Sequence, residues 1–144
     1  MIGAAAAIIF LVRYFRGPDR ASYVAKNERI LSALPRPSAA QEIGRQTLST
    51  QDCWGEQLCR AVGYTSYVSY AVPLRMTQED VVRFYKRQLL GWRVTSWTVD
   101  RILFACFDRK RAVVGVATEG MDLRGGATRK SYGISADHNA GSCD

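Results

Sequence analysis

Four cysteines and a single histidine are the side chains of this sequence best suited to chemistry: Cys53, Cys59, Cys106, Cys143 and His138. They include no CxxC pair, and a structural zinc site would need all four thiolates, or three of them together with His138. Cys53 and Cys59 lie in a polar, loop-like stretch and form a possible disulfide if the compartment is oxidising. Cys106 lies within an apolar run, which indicates a buried small side chain.

One enzymatic arrangement stays open, a nucleophilic pair of His138 with Cys106 or Cys143. Asp137 precedes His138, but successive residues of a strand point to opposite faces of a sheet, which argues against a simple Asp–His relay. The sequence contains no GxGxxG, P-loop, GxSxG or HExxH motif. These observations favour a non-enzymatic protein, and the sequence predicts no catalytic residue, no cofactor and no metal ion.

Basic residues give the clearest indication of a partner, since Lys and Arg total 20 against 13 Asp and Glu, for a formal charge of +7. Two groups stand out, one at helical spacing and one between two predicted strands: Arg83, Lys86, Arg87, Arg109, Lys110 and Arg111. We expect all six to be exposed and to be candidates for binding an anionic lipid surface, where each contributes on the order of 1 kcal/mol. The competing interpretation is an ordinary solvated surface without a partner.

A nucleic-acid-binding domain is a second possibility, because single strands bind where cations are combined with aromatic stacking platforms. Tyr64, Tyr67 and Tyr70 would supply such platforms beside the basic groups. No RNP-like motif accompanies them, so nucleic acid is the less favoured partner.

Residues 2–12 read IGAAAAIIFLV and carry no charge. A transmembrane helix needs about 20 apolar residues, so this run is a short membrane anchor or the end of a longer span, with a buried or interfacial helix as the alternative. We expect it to form a helix outside the domain core, followed by a Gly-Pro linker to residue 18. Arg13, Arg16 and Arg20 favour a cytoplasmic domain and the cysteine pair an external one, so the side of the membrane stays open.

The spacing of apolar residues predicts one α+β domain over residues 19–138, followed by a flexible tail at residues 139–144. Helices are predicted over residues 22–34 and from the N-cap Thr77 to Gly91. The predicted strands are residues 42–50, 64–72, 93–99, 102–107, 112–118 and 131–137. Short connections imply antiparallel neighbours, so we expect a two-layer sandwich in which one or two helices cover a mostly antiparallel sheet of about five or six strands.

Local signals also predict how the helices begin and which side chains they bury. Asp19 is a predicted N-cap of the first helix, and Thr77 with Asp80 forms a variant of the capping box at the second. The predicted core consists of Ile30, Leu31, Leu34, Val68, Tyr70, Val72, Val81, Val82, Tyr85, Leu89, Phe104, Val114 and Val116.

Residues 64–92 combine a Tyr/Thr-rich strand, Val-Pro, a Thr-capped helix with Phe-Tyr, and Gly-Trp. The residues that carry this pattern are Tyr70, Ala71, Val72, Pro73, Thr77, Val81, Val82, Arg83, Phe84, Tyr85, Gly91 and Trp92. The pattern resembles small uncharacterised bacterial proteins, chiefly of high-GC Gram-positive type, to which residues 23–26 and 34–37 are also similar. The resemblance implies an N-terminal membrane anchor or lipoprotein signal ahead of an α+β domain. No activity is established for that group, so no catalytic residue carries over.

These observations together favour a membrane-tethered, non-enzymatic binding or structural domain of the bacterial envelope. Its expected contacts are the membrane, through residues 2–12, and either anionic lipid headgroups or an envelope protein. The alternatives are a soluble basic domain that binds nucleic acid and a small enzyme that uses a cysteine or His138.

Overall fold

The computed structural model describes residues 17–54, 58–123 and 129–143. It contains two helices, α1 (Arg20–Ala33) and α2 (Gln78–Gln88), and a single 3-10 turn. The strands are β1 (Gln41–Trp54), β2 (Leu58–Val72), β3 (Arg93–Val99), β4 (Ile102–Arg109), β5 (Ala112–Ala117) and β6 (Lys130–Asp137). The predicted α+β class is confirmed, whereas the helix predicted at residues 2–12 lies outside the described residues. In the described part of the chain, no helix is both long and apolar enough to cross a membrane.

The six strands form one antiparallel sheet in the order β1-β2-β6-β5-β4-β3. The last strand therefore joins two units, the β1–β2 hairpin and the β3–β4–β5 meander. Pairing of Ala136 with Ser66 on one side and with Val114 on the other places the β4–β5 turn at the same end of the sheet as the start of β2. Gly17 lies against the backbone of Ala61 near this end, which is named the Gly17 end below.

Beyond the point where β6 stops, β1 and β2 continue together as an arm, comprising residues 51–54 and 58–62. The structure thus shows strand pairing where the sequence predicted a loop between Cys53 and Cys59. At about 3.3 Å per residue, the arm extends roughly 20 Å past the neighbouring strand. It projects from the Gly17 end.

Helix α1 begins at the predicted N-cap, since the Asp19 carboxylate accepts a hydrogen bond from the Ser22 N–H at 3.1 Å. It ends before Pro35, which cannot continue a helix. The side chains that it buries are Tyr23, Asn27 and Leu31. One of its three buried side chains is therefore polar, and it requires hydrogen-bond partners inside the domain.

Helix α2 begins with the predicted capping box. The Thr77 hydroxyl accepts from the Asp80 N–H at 3.1 Å, and the Asp80 carboxylate accepts from the Thr77 N–H at 3.0 Å. The helix buries Val81, Val82 and Tyr85 against the sheet. The Tyr85 hydroxyl meets its partner in the core, the Tyr132 hydroxyl, at 3.0 Å. The Gln78 side chain, at the start of the helix, donates to the Arg101 carbonyl and accepts from the Leu103 N–H and the Thr118 hydroxyl. Apolar contact, the hydroxyl pair and these three hydrogen bonds thus hold this helix in place.

Most of the predicted core residues are buried between the helices and the sheet, but Phe104 was wrongly assigned. Residues 105 and 107 of β4 face the helices, so Phe104 lies on the opposite face, where it stacks on Trp97 with ring centroids 5.8 Å apart. Phe107 occupies the core instead and is 1% exposed. Both faces of β4 carry apolar residues, so alternation could not tell them apart. Ile30 and Leu34 are only partly buried.

Candidate functional site: the Gly17 end of the sheet

All six basic candidates are exposed, but they occupy two separate places. Arg109, Lys110 and Arg111 form the β4–β5 turn, named the basic turn, at the Gly17 end. The apolar residues 2–12 precede Gly17 in the sequence. The basic turn therefore lies at the end of the domain to which the apolar segment is joined. Among the described residues, none of its three cations forms an ion pair.

The other three candidates, Arg83, Lys86 and Arg87, form the α2 basic face, which points away from the sheet. Here acidic side chains lie nearby, and Arg83 pairs with Asp80 at 3.4 Å. Two of the three cations lie in the last turn of the helix, where a positive charge complements the helix dipole. The positive charges of the α2 basic face therefore have a structural explanation, whereas those of the basic turn do not.

The three tyrosines that would serve nucleic acid do not share one surface. Tyr64 and Tyr70 belong to the helix-facing set of β2, and Tyr70 is only 6% exposed because it packs within the core. Tyr67 points to the opposite face of the sheet. Because stacking platforms must lie together along one strand of nucleic acid, this arrangement does not favour that partner.

The four cysteines form two disulfides in the structure, Cys53–Cys59 and Cys106–Cys143. The first joins directly opposed residues of the arm. In the second, Cys106 is buried as predicted but bonded, and Cys143 belongs to the stretch predicted as a flexible tail. The N–H of Cys143 also donates to the Asp108 carboxylate at 3.1 Å. No thiolate is left for zinc or for a Cys–His pair, so those two interpretations are wrong for this structure.

The single histidine belongs to a polar cluster that joins α1 to the ends of β2 and β6. Asn27 is fully buried, and its Oδ1 accepts from the His138 backbone N–H at 2.9 Å and lies 2.9 Å from His138 Nδ1. Its Nδ2 donates to the Tyr64 carbonyl at 2.6 Å. Because an amide oxygen only accepts, Nδ1 carries the proton, and Nε2 is the nitrogen that titrates.

Two further contacts complete this cluster. The Tyr23 hydroxyl donates to the Asp137 carboxylate at 3.0 Å. The Tyr23 ring packs edge-on against the His138 ring, with the ring centroids 4.0 Å apart. Burial, followed by the negative charge of Asp137, raises the pKa of Tyr23 to about 12. Burial, followed by the positive charge of Lys26, lowers the pKa of His138.

These pKa shifts favour the neutral forms of both rings near pH 7, and each polar group of the cluster contacts another group of the protein. A nucleophile would need a neighbouring base that lowers its pKa, whereas Tyr23 is shifted the opposite way. The Asp137 carboxylate accepts from the Tyr23 hydroxyl, and the imidazole Nδ1 contacts Asn27 instead. The cluster holds α1 against the sheet.

Sequence reasoning did not identify this cluster, although one signal was visible. Asn27 lies four residues from both Tyr23 and Leu31, so it falls at helical spacing on the same side of α1 as these two residues. An amide at such a position requires partners, and the sequence did not show that they come from the end of β6. Among the residues that the structure describes, no group of His, Cys, Asp and Glu side chains is placed to hold a metal ion.

In comparisons with known proteins, no family model matches the sequence and no curated protein is significantly similar to it. Function is therefore inferred from the geometry of the chain itself.

Proposed function

We propose that this protein is a membrane-tethered, non-enzymatic binding domain of the bacterial envelope, held to the bilayer by residues 2–12. One observation carries the proposal: the basic turn and the start of the described chain lie at the same end of the sheet. A tether at Gly17 would keep that end close to the bilayer. The basic turn would then approach anionic headgroups with the sheet tilted, because the arm projects from the same end beside the other edge of the sheet.

The charge distribution supports this orientation. The three cations of the basic turn occupy adjacent positions, and each Lys or Arg near an anionic surface contributes on the order of 1 kcal/mol. The attraction decays within a Debye length, about 8 Å at physiological ionic strength, so only groups held close to the bilayer benefit. The α2 basic face lies on the outer side of the helical layer and serves as an internal comparison.

The disulfides favour the oxidising side of the membrane. Disulfides persist in exported proteins and are rare in the reducing cytosol, and here all four cysteines are paired. Arg13, Arg16 and Arg20 argue for the opposite orientation. The positive-inside rule, which places Lys and Arg on the cytoplasmic side, compares the charges on both flanks of a membrane span, however. Two disulfides in one domain are the more specific signal.

Lipid contact is tested with the full chain in nanodiscs that contain anionic phospholipid and a gadolinium-labelled lipid. We expect NMR signals of residues 109–112 to broaden strongly, while those of the β3–β4 turn at Asp100 and Arg101, at the other end of the sheet, stay sharp. Replacing the three cations of the basic turn with serine should reduce the broadening, and the same triple replacement on the α2 basic face should not. Equal effects of the two triple variants would refute the proposed orientation.

The tether and the side of the membrane need a separate measurement in bacterial cells. We expect the full chain to remain with membranes after a high-salt wash, and a variant without residues 2–12 to be released. Alkylation of unreduced cell extracts should leave all four cysteines unmodified, as expected of an exported domain. Recovery of four alkylated cysteines from the full chain would place the domain in the cytosol and contradict this part of the proposal.

A further inference from the structure

The Cys53–Cys59 disulfide lies in a part of the sheet that has little other support. Residues 51–54 and 58–62 pair only with each other, because β6 stops before it reaches them. A two-stranded ribbon is at best marginally stable in water by itself. Among the described side chains of the arm, Asp52 and Arg60 form an ion pair at 3.6 Å. The covalent bond is a constraint of a different kind, because it joins two strands that have no third strand beside them.

Both cysteines of this bond are exposed, in contrast to the second disulfide. Cys106 is 9% exposed, and its partner Cys143 is held in place through the N–H that donates to Asp108. The Asp108 carboxylate is in turn paired with Arg93 at 2.9 Å. A thiolate must reach a sulfur to attack it, so the bond of the arm, with both cysteines exposed, is more accessible in the folded state than the second bond, in which Cys106 is buried and Cys143 half-buried.

We propose that Cys53–Cys59 is a thiol–disulfide exchange site, whose partner is a dithiol protein on the oxidising side of the membrane. A thiolate of the partner attacks one of the two sulfurs, the Cys53–Cys59 bond breaks, and the other cysteine leaves as a thiolate that takes up a proton. The second thiol of the partner then attacks the mixed disulfide and releases the first cysteine. Two electrons pass from the partner, which ends as a disulfide, to the arm, which ends as two thiols.

The consequence of this exchange is local. None of the core residues that the structure describes lies in the arm, so the sheet and both helices keep their contacts when the bond opens. The outer arm loses its covalent link and frays, and oxidation by the reverse reaction restores it. The protein would thus present two forms of one protruding surface, selected by the redox state of its partner.

The test uses the full chain in detergent micelles, treated with increasing dithiothreitol and then with N-ethylmaleimide, with each cysteine followed by mass spectrometry. We expect Cys53 and Cys59 to be alkylated together, at least about tenfold faster than Cys106 and Cys143, because only the first pair has both cysteines exposed. Circular dichroism should show that the fold persists at that stage. Equal rates, or faster reduction of Cys106–Cys143, would overturn the proposal.

A thioredoxin whose resolving cysteine is replaced by serine tests for protein partners of this class. It should form a mixed disulfide with the wild-type chain at Cys53 or Cys59, and none with the double variant Cys53→Ser/Cys59→Ser. Absence of a mixed disulfide with the wild type would also overturn the proposal. Neither measurement contains lipid, so a failure here is distinguishable from a failure of the membrane orientation proposed above.

Discussion

Helix α2 buries Val81, Val82 and Tyr85, whereas helix α1 buries Tyr23, Asn27 and Leu31. The two helices cover the same face of one sheet, yet different interactions hold them. The side chains that α2 buries fully are apolar or aromatic, and its polar contacts with the sheet come from Gln78 at its first turn. Attachment of α1 depends on an amide that requires partners in defined places, and those partners lie at residues 64 and 138. The difference predicts that α2 is most sensitive to a charge placed in its apolar stripe, and α1 to removal of the polar group that it buries.

The largest effect is expected from Val82→Asp in α2. Val82 is 3% exposed, so the variant buries an unpaired carboxylate and should lower the free energy of unfolding by several kcal/mol, about 3 to 5. Denaturant unfolding of the full chain in micelles measures the change. Lys86→Asp on the exposed side of the same helix is the control and should cost less than about 1 kcal/mol. Equal losses for the two variants would contradict the assigned helix face.

Asn27→Ala in α1 should have the next largest effect, about 2 to 3 kcal/mol, because it leaves the His138 N–H and the Tyr64 carbonyl without their partner. Lys26→Ala, at an exposed neighbouring position, is the control. Hydrogen exchange should accelerate along α1 and stay slow along α2. Unchanged protection of α1 in the Asn27 variant would show that apolar packing alone holds this helix.

Thr77→Ala should destabilise the protein by about 1 kcal/mol through loss of the hydroxyl that caps α2. Thr77→Ser keeps an oxygen in the same place and should restore most of the loss. This variant sharpens the comparison of the two helices, because loss of the cap affects only the N-terminal end of α2. A loss as large as that of Asn27→Ala would mean that capping, rather than burial, governs the attachment of α2.

The smallest expected effect is a pH dependence that separates the two helices. The pKa of His138 is lowered from its ordinary value of 6.5, so the unfolded chain binds the proton more tightly than the folded one. The contribution of His138 to stability is therefore complete above about pH 6.5 and decreases as the pH falls toward the pKa of the folded state. The free energy of unfolding, measured between about pH 7.5 and pH 5, should decrease as the pH falls. The His138→Gln variant should show a smaller decrease.

Helix α2 should respond in a lower pH range. Hydrogen bonding to the backbone of Thr77 lowers the pKa of Asp80 below its ordinary value of 3.8. The capping box therefore contributes fully above that value and is lost only as the pH falls further. Hydrogen exchange followed helix by helix at pH 5 should show faster exchange in α1 than at pH 7, after correction for the intrinsic rates. An equal loss of hydrogen-exchange protection in α1 and α2 would contradict the conclusion that different interactions hold the two helices to the sheet.

The sequence allowed α2 to be predicted closely because all of its signals are local. The capping box spans residues 77–80, the apolar stripe repeats at helical spacing, and Gly91 adopts the expected left-handed conformation with φ of 81°. The strand alternation of residues 64–72 was equally clear and is confirmed by burial of alternate residues. Local hydrogen bonding and a single buried face leave few competing structures for such segments.

What could not be predicted depends on contacts between distant residues. The partner of Asn27 is 111 residues away, and Cys106 is separated from Cys143 by 37 residues. No local pattern encodes such pairings. The arm was missed for a different reason: Gln51, Asp52 and Gly55 are typical of loops, so the composition concealed strand pairing stabilised by a covalent bond. Of the candidate basic residues, exposure was predictable, but their division between the outer side of α2 and the β4–β5 turn required the structure.

The strand order also determines when the sheet can be completed during biosynthesis. β6 lies between β2 and β5, and it is the last strand to leave the ribosome. Until residue 137 has been synthesised, the chain holds only a hairpin and a meander, each with one edge waiting for the missing strand. Contacts of such long sequence separation form slowly. A sheet whose central strand is made after its neighbours therefore keeps two unpaired edges exposed until that strand has been synthesised.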